Sequence, residues 1–283
     1  MTLRQSHFVP PVSYLLAEDL GFLRGSDVVL TRTTSSAEQL RALLAGEQDM
    51  VVTAIDNLFE WTLAGADLRL VAQMEATTPL GIHARSGLET IADLAGCRFA
   101  VDAPNNGFAL IAKRLLGDAG VEVDYVVVGG VRERLEALLD GEVDVTLLGA
   151  PFDKLAEKAG FARIVDINTW LPELPGQGLV VRADVVGSVE LERYLRALVR
   201  GVEAGVPMSD AQGIELLQRC GFHAGAPRAW DSRARTLTVD QRGLELLTGI
   251  RQSLGMLPPG IGLEELYNGE PLLRASRSAP ICN

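Results

Sequence analysis

The chain has 283 residues, of which 47% are hydrophobic and 22% are charged, and its formal net charge is −11. This length suffices for one large domain or two smaller ones, each with a buried core. The excess of acidic residues argues against a nucleic acid or an anionic membrane surface as a partner, because both attract clustered Lys and Arg. We therefore predict a globular protein that binds no nucleic acid.

The cysteines and histidines are few and widely spaced. The three cysteines and three histidines form no pattern typical of a metal site. No run of about 18 apolar residues is present, so membrane insertion is not expected. The first residues, MTLRQSHFVPP, contain neither the apolar core of a signal peptide nor a lipoprotein cysteine. We expect no metal, no cofactor and a cytoplasmic chain, with a periplasmic or other extracytoplasmic location only if a leader has been trimmed.

An internal repeat is the most informative pattern. Residues 38–49 read EQLRALLAGEQD and residues 133–144 read ERLEALLDGEVD, with eight of the twelve positions identical at an offset of 95 residues. The same offset continues without a gap on both sides and places His7 over Asp102. Two copies of this size predict two related lobes.

In chain order, each copy reads as strands alternating with helices. A short apolar strand is followed by a turn rich in Pro, Asn and Gly, a helix, a second strand, the repeated helix, a third strand, a short helix and a fourth strand. The predicted strands are 3–8, 27–33, 49–54 and 68–74 in the first copy and 98–103, 123–130, 144–150 and 162–167 in the second. This alternation predicts an α/β fold with parallel pairing in two Rossmann-like lobes, and ligands bind beyond the carboxyl ends of such strands.

The rest of the chain determines how the lobes connect. A strand over 179–182 is expected to return the chain to the first lobe, and helices are predicted over 189–205, 209–220 and 240–254, with Ser209 and Asp240 as N-caps. The predicted organisation has a first lobe of residues 1–78 plus 184–283 and an inserted second lobe of residues 79–183. The crossing segments 75–79 and 177–184 would form the hinge.

Three stretches carry a resemblance to a known family: PPVSYLLAEDLGFL, ALLAGEQDMVVTAIDNLFEWTLAGADLRLVAQ and LETIADLAGCRFAVDAPNNGFALIAKRLLGDAGV. Over about residues 2–185 the chain resembles the sulfonate, nitrate and thiamine-pyrimidine-precursor branch of the periplasmic-type solute-binding proteins. The resemblance implies the type II periplasmic-binding-protein fold with a central cleft. It also implies a small-molecule ligand, hinge closure, a monomer and, for an exported form, an ABC permease as partner.

In this architecture the ligand contacts come from the strand-to-helix turns of both lobes. An anion would suit the amides of the turn at 105–107, which precedes a helix. No arginine falls in the predicted turns, which argues against a strongly anionic ligand. The predicted ligand-binding residues are His7, Phe8, Ser13, Tyr14, Ser35, Ser36, Asp56, Asn57, Glu75, Asn105, Asn106, Phe108, Pro151, Phe152 and Trp170.

The scaffold leaves two classes of function open. The first is reversible binding of a sulfonate, a carboxylate or an aromatic or heterocyclic metabolite. The second is a cytoplasmic enzyme, such as a decarboxylase, a desulfinase-like enzyme or a hydrolase, in which His7 pairs with Asp102 or Asp56 as acid and base. Aromatic sulfinate desulfinases share this layout and carry a nucleophilic cysteine after the first strand, but the corresponding turn here, HFVPPV, has none.

Overall fold

Two five-stranded sheets form the framework of the computed structural model, which describes residues 2–105 and 107–277. The first sheet, the base of the first lobe, has the order β2-β1-β3-β10-β4, and the second sheet, the base of the second lobe, has the order β7-β6-β8-β5-β9. The strands of the first sheet are β1 Leu3–His7, β2 Val28–Arg32, β3 Met50–Thr53, β4 Leu68–Gln73 and β10 Gly178–Arg182. Those of the second are β5 Leu80–Ala84, β6 Arg98–Val101, β7 Asp124–Val127, β8 Val145–Gly149 and β9 Ala162–Asp166.

The helices follow the repeat that the sequence predicted. Helices Ser36–Leu44 (α2) and Val131–Leu139 (α5) begin and end 95 residues apart, and so do Asn57–Leu63 (α3) and Phe152–Lys158 (α6). The first turns of each copy lead into Val12–Asp19 (α1) and Phe108–Asp118 (α4). The prediction of two related Rossmann-like lobes is therefore confirmed.

The fifth strand of each sheet departs from the purely parallel pairing that we expected. Strand β1 pairs parallel with β2 and β3, whereas β10 pairs antiparallel with both β3 and β4. The second sheet repeats this arrangement with β5 between β8 and β9. Each lobe thus takes its fifth strand from the segment that has just crossed from the other lobe. The sequence analysis missed β5 because all five of its residues are buried, so it shows no alternation.

The C-terminal third is helical and packs mainly on the first lobe. Its longest helix, Val189–Gly205 (α8), lies against α1 and buries an apolar stripe that includes Leu191, Leu195 and Leu198. Ser209 and Asp240 cap the following helices, as predicted. The remaining α-helices of the described chain are Ile167–Trp170 (α7), Asp210–Arg219 (α9), Ala226–Asp231 (α10), Gln241–Ser253 (α11), Leu263–Leu266 (α12) and Glu270–Arg277 (α13).

The largest apolar cluster contains side chains from both sheets, so the lobes share part of one core. Val51 and Leu58 from the first lobe belong to it together with Phe99 and Leu110 from the second. Burial of this surface stabilises the fold by about 25 cal/mol per Å² of apolar area. Within residues 2–105 and 107–277, none of the helices has the length and apolarity that crossing a membrane requires.

Candidate functional site

A cavity of about 120 Å³ lies where the carboxyl-end turns of the two sheets face each other. The first lobe contributes Phe8, Thr53 and Asn57 to its wall, and the second contributes Asp102, Phe108 and Arg134. The hinge segments add Glu75, Thr78 and Gln177, and the C-terminal segment adds Phe222, Ser232 and Arg233. All the major parts of the chain therefore meet around one space.

The size and lining of this cavity limit what it can hold. A cavity of about 150 Å³ is known to admit benzene, so a space of this size suits a molecule of about one ring. Alanines, valines, prolines and leucines form much of the wall, and Phe8, Phe108 and Phe222 are its aromatic members. A mostly apolar pocket with a few polar groups is the usual composition of a small-molecule site.

Beside this cavity, an ion pair in the first lobe makes hydrogen bonds to the second lobe. Arg251 of α11 donates to both carboxylate oxygens of Asp56, at 2.8 and 2.9 Å, and both residues are buried. The same carboxylate accepts from the backbone N–H of Gly107 at 2.9 Å, and Arg251 also donates to the Asn105 carbonyl at 3.1 Å. Gly107 has φ +58, and a Cβ there would lie 2.9 Å from the Asn57 Oδ1 atom, so glycine suits this close approach.

This arrangement corrects the prediction for the turn at 105–107. The helix N-terminus that we expected to hold a ligand anion binds the protein's own Asp56 carboxylate through Gly107. Burial raises the pKa of the Asp56 carboxyl, and the Arg251 guanidinium opposes that rise. The pKa of Arg251 favours the opposite conclusion about the charge state of the pair. Burial lowers this pKa, but the hydrogen bonds to Asp56 and Glu60 raise it above its usual value, which favours the charged form. We take the pair as ionised, because bidentate contact favours the carboxylate.

A second contact of the same kind runs in the opposite direction. Asp102, at the end of β6 in the second lobe, accepts the backbone N–H of Ser36 with both carboxylate oxygens, at 3.0 and 3.1 Å. Ser36 is the first residue of α2 in the first lobe. Each lobe therefore places a carboxylate on a helix N-terminus of the other lobe, where the helix dipole favours a negative charge. We call these two contacts the carboxylate clasps.

Two further contacts join the rims of the cleft. The Gly130 N–H donates to the Thr34 carbonyl at 2.5 Å, and Arg32 donates to Glu133 Oε1 at 2.6 Å. Together with the clasps, these bonds hold the turns of the two sheets against each other. The arrangement is that of a closed cleft.

Two arginines line the cavity although no predicted turn contains one. Arg134, in the first turn of α5, donates to the Gly129 and Leu147 carbonyls, and its Nε has no partner among the described residues. Burial lowers the pKa of Arg134 to about 10, so its guanidinium stays charged at neutral pH. Arg233 follows α10 and stacks on the Trp230 ring at 3.6 Å. The absence of arginine from the predicted turns therefore does not describe the whole cavity wall, because helix and loop positions outside the turns reach the cavity.

Glu75 links the two hinge segments at the cavity wall. Its carboxyl accepts from Thr78 Oγ1 at 2.7 Å and from the Gln177 backbone N–H and Nε2, at 3.4 and 3.3 Å. Burial raises the pKa of the Glu75 carboxyl, and these bonds only partly oppose it. Thr78 belongs to the segment that enters the second lobe and Gln177 to the segment that leaves it. A group on the cavity wall thus contacts both crossing segments.

His7 is a buried residue behind the cavity wall. It is 6% exposed, and its Nδ1 has no hydrogen-bond partner among the described residues. Burial lowers the pKa of His7 to about 4, so the ring is neutral at physiological pH. The carboxylates considered as its acid–base partners are engaged elsewhere, Asp102 with the Ser36 amide and Asp56 with Arg251.

The other sequence-predicted residues divide between the cavity and its surroundings. Phe8, Asn57, Glu75 and Phe108 line the cavity, as does the catalytic candidate Asp102. Several of the rest have structural contacts: Ser13 Oγ donates to the Met74 carbonyl, Tyr14 to Glu18, and Ser35 caps α2. Asn106 lies outside the described residues.

In the second lobe, four predicted residues lie away from the cavity lining. Pro151 begins the approach to α6 after a cis peptide bond and contacts the backbone at Gly225. Phe152 packs into the core of the second lobe, and Trp170 is 39% exposed at the surface. Asn105 is exposed, and its side chain accepts from Lys113 Nζ at 3.1 Å. The aromatic wall is consequently made by Phe8, Phe108 and Phe222.

Sequence reasoning missed the contribution of the C-terminal segment to the cavity wall. Phe222, Ala229, Ser232 and Arg233 line the cavity, although the repeat ends well before them. Arg228 in the same segment donates to Asp153, a fully buried residue of the second lobe, at 2.9 Å. The sequence offered one indication of this contribution, because three arginines fall within 228–235. Their number does not show which of them face the cavity.

Comparison with known proteins gives the fold and the family. The alkanesulfonate-binding protein SsuA from Xanthomonas axonopodis pv. citri, bound to MOPS, aligns with a TM-score of 0.77 and 18% identity over 94% of this chain and 98% of that chain. The periplasmic nitrate-binding protein NrtA from Synechocystis PCC 6803 aligns with a TM-score of 0.78 and 12% identity, over 99% and 89%. The desulfurization enzyme DSZB aligns with a TM-score of 0.67 and 18% identity, over 98% and 99%.

At these identities the structures share the fold, which is that of the type II periplasmic binding proteins, as predicted. Comparison with curated protein sequences finds no match. A sequence model described as NMT1/THI5 like matches residues 12–207, more than half of the chain. With its two mixed five-stranded sheets and the cavity between them, the chain belongs to the NMT1/THI5-like family.

Proposed function

We propose that this protein binds a small organic molecule, a sulfonate, a carboxylate or an aromatic or heterocyclic metabolite, in the cavity between its lobes and closes around it. The observation that carries the proposal is that one cavity is lined from both lobes while the two carboxylate clasps join the lobes beside it. A ligand that touches both walls favours the closed arrangement over an open one, because only the closed state offers all its contacts.

We propose the lobe boundaries as residues 1–78 plus 184–283 and residues 79–183, with the hinge at 75–79 and 177–184. The division of strands between the two sheets supports these limits, since β5 to β9 form the second sheet and the remaining strands form the first. The bonds of Glu75 to Thr78 and Gln177 tie the two hinge segments together next to the ligand space. For an exported form, an ABC permease is the proposed partner, as for the import components among its structural relatives.

A thermal-shift screen of the purified protein against small sulfonates, carboxylates, aromatic acids and pyrimidines tests the proposal. A compound that binds only the folded state stabilises it by about 2.7 kcal/mol at a hundredfold excess over its Kd. Small-angle X-ray scattering on each hit is expected to show a smaller radius of gyration than the ligand-free protein. Ala103→Trp, on the cavity wall, should abolish the shift, and Ala119→Trp, exposed after α4, should retain it.

The fate of the ligand separates binding from catalysis. A binding protein returns its ligand unchanged after incubation, whereas an enzyme on this scaffold returns a new compound. The fold of DSZB motivates the enzymatic alternative, although His7 lies behind the cavity wall and Asp56 and Asp102 already have partners. Stabilisation that persists in the Ala103→Trp variant, or no compound that stabilises the protein, would contradict the proposal.

A further inference from the structure

The cationic and acidic side chains on the cavity wall are not paired with one another among the described residues. The lining contains two guanidinium groups, Arg134 and Arg233, and two carboxyl groups, Asp102 and Glu75. Asp102 is already engaged by the Ser36 amide at the start of α2. Burial raises the pKa of the Glu75 carboxyl, which favours its neutral form. In the described part of the chain neither carboxyl is hydrogen-bonded to Arg134 or Arg233, so these guanidinium groups leave room for an anionic ligand group.

Arg134 is the better placed of the two cations to receive that charge. Its two described hydrogen bonds go to backbone carbonyls, of Gly129 at 2.7 Å and of Leu147 at 3.2 Å, so they fix the guanidinium without neutralising it. Its buried Nε–H has no partner among the described residues. A buried cation without a hydrogen-bonded counterion is costly, and an anion in the adjacent cavity removes that cost.

Arg233 is fixed in a similar way on the opposite side of the cleft. It is 5% exposed, its guanidinium stacks on the Trp230 ring, and Nη1 donates to the Trp230 carbonyl at 2.6 Å. No carboxylate in the described part of the chain is recorded within hydrogen-bond distance of it, in contrast to Arg228, which pairs with Asp153 and Asp166. Both guanidinium groups that line the cavity are thus held by neutral partners.

We propose that the ligand is a small organic monoanion of about one ring, whose acid group binds Arg134 and whose apolar body lies between Phe8 and Phe108. The inference rests on the proposed function and narrows it, since neutral pyrimidines and other uncharged heterocycles are then poor ligands. The cavity volume of about 120 Å³ suits an acid of this size.

Matched pairs of an acid and its neutral amide test this inference without altering the protein: benzoate and benzamide, nicotinate and nicotinamide, benzenesulfonate and benzenesulfonamide. Isothermal calorimetry on the wild-type chain is expected to give binding of at least one acid, with its amide at least tenfold weaker. Arg134→Gln should then weaken the acid about 10- to 100-fold, as expected for loss of a charged hydrogen bond. Arg132→Gln, an exposed arginine of the same helix, is the matched control and should leave binding unchanged.

The outcomes separate this inference from the function on which it rests. Binding of an amide as tightly as its acid, or of neutral compounds alone, overturns the monoanion and leaves ligand binding intact. Acid binding that Arg134→Gln leaves unchanged overturns the assignment of Arg134, provided that the variant melts like the wild type. Absence of binding by every pair and by the broader screen overturns both proposals.

Discussion

The buried pair of Asp56 and Arg251 predicts a large loss of stability when the arginine is removed. Arg251 is 0% exposed and donates two hydrogen bonds to Asp56, one to Glu60 and one each to the carbonyls of Met256 and Asn105. Arg251→Met keeps much of the apolar stem but removes all five. The Asp56 carboxylate is then left buried, with the Gly107 N–H as its one described donor.

The expected loss follows from the cost of an unpaired buried charge. Removing one partner of a buried ion pair destabilises a protein by about 3 to 5 kcal/mol. For a chain of this size, each kcal/mol lowers Tm by about 2 to 4 °C, so we expect a decrease of about 10 °C. Without Arg251, the guanidinium no longer opposes the effect of burial, and the folded pKa of Asp56 rises further. That penalty is absent below the unfolded pKa and grows as the pH rises, so the deficit should be smaller at pH 5 than at pH 7.5.

Thermal melts and urea unfolding followed by circular dichroism measure this effect. Arg242→Met is the matched control, because Arg242 lies on the same helix and is exposed. In a double-mutant cycle, Asp56→Asn with Arg251→Met should cost about 2 kcal/mol less than the sum of the single changes. A loss below about 1 kcal/mol, or a loss that the control reproduces, would refute the argument that this buried pair stabilises the fold.

Two further predictions concern stability. Burial lowers the folded pKa of His7 from 6.5 to about 4. The stability of the folded state that depends on a neutral His7 ring is therefore fully present above about pH 6.5 and is lost as the pH falls toward 4. The loss is about 3 kcal/mol, and His7→Gln should flatten urea-derived stability across that range; an unchanged slope would contradict it. Gly213→Ala should destabilise by about 2 kcal/mol or more, because its Cβ would lie 2.2 Å from the Trp230 ring. Gly249→Ala, exposed in α11 with open space around it, should instead stabilise by about 0.5 to 1 kcal/mol, and equal melting shifts would refute this contrast.

Much of the fold was predictable because the same local sequence pattern of strands and helices occurs twice in the chain. The helices α2 and α5 were readable from apolar spacing alone, and their identical lengths follow from the constant offset of 95. Turn positions at strand ends also follow from local sequence. Since parallel strands expose those turns at one edge, Phe8, Asn57, Asp102 and Phe108 could be proposed for the cleft, and all four line it.

The remaining features depend on contacts between residues far apart in the chain. The partners Asp56 and Arg251 are separated by 195 positions, and no local pattern distinguishes that arginine from the other basic residues of the acidic chain. Asp56 directly precedes α3, yet its carboxylate makes no cap bond to that helix and instead binds the Gly107 amide of the other lobe. The partners of Asp56 matter because its carboxylate is removed from water, and this burial arises only when the two lobes pack together.

The amino-acid sequence by itself determined the two related lobes, the order of their elements and the edge where a ligand would lie. The tertiary structure decided the exchange of β5 and β10, the arrival of Arg134 and Arg233 at the cavity, and the burial of His7 behind it. The physical reason is that periodicity and turn chemistry act over a few residues. Burial and charge compensation depend on which distant surfaces meet.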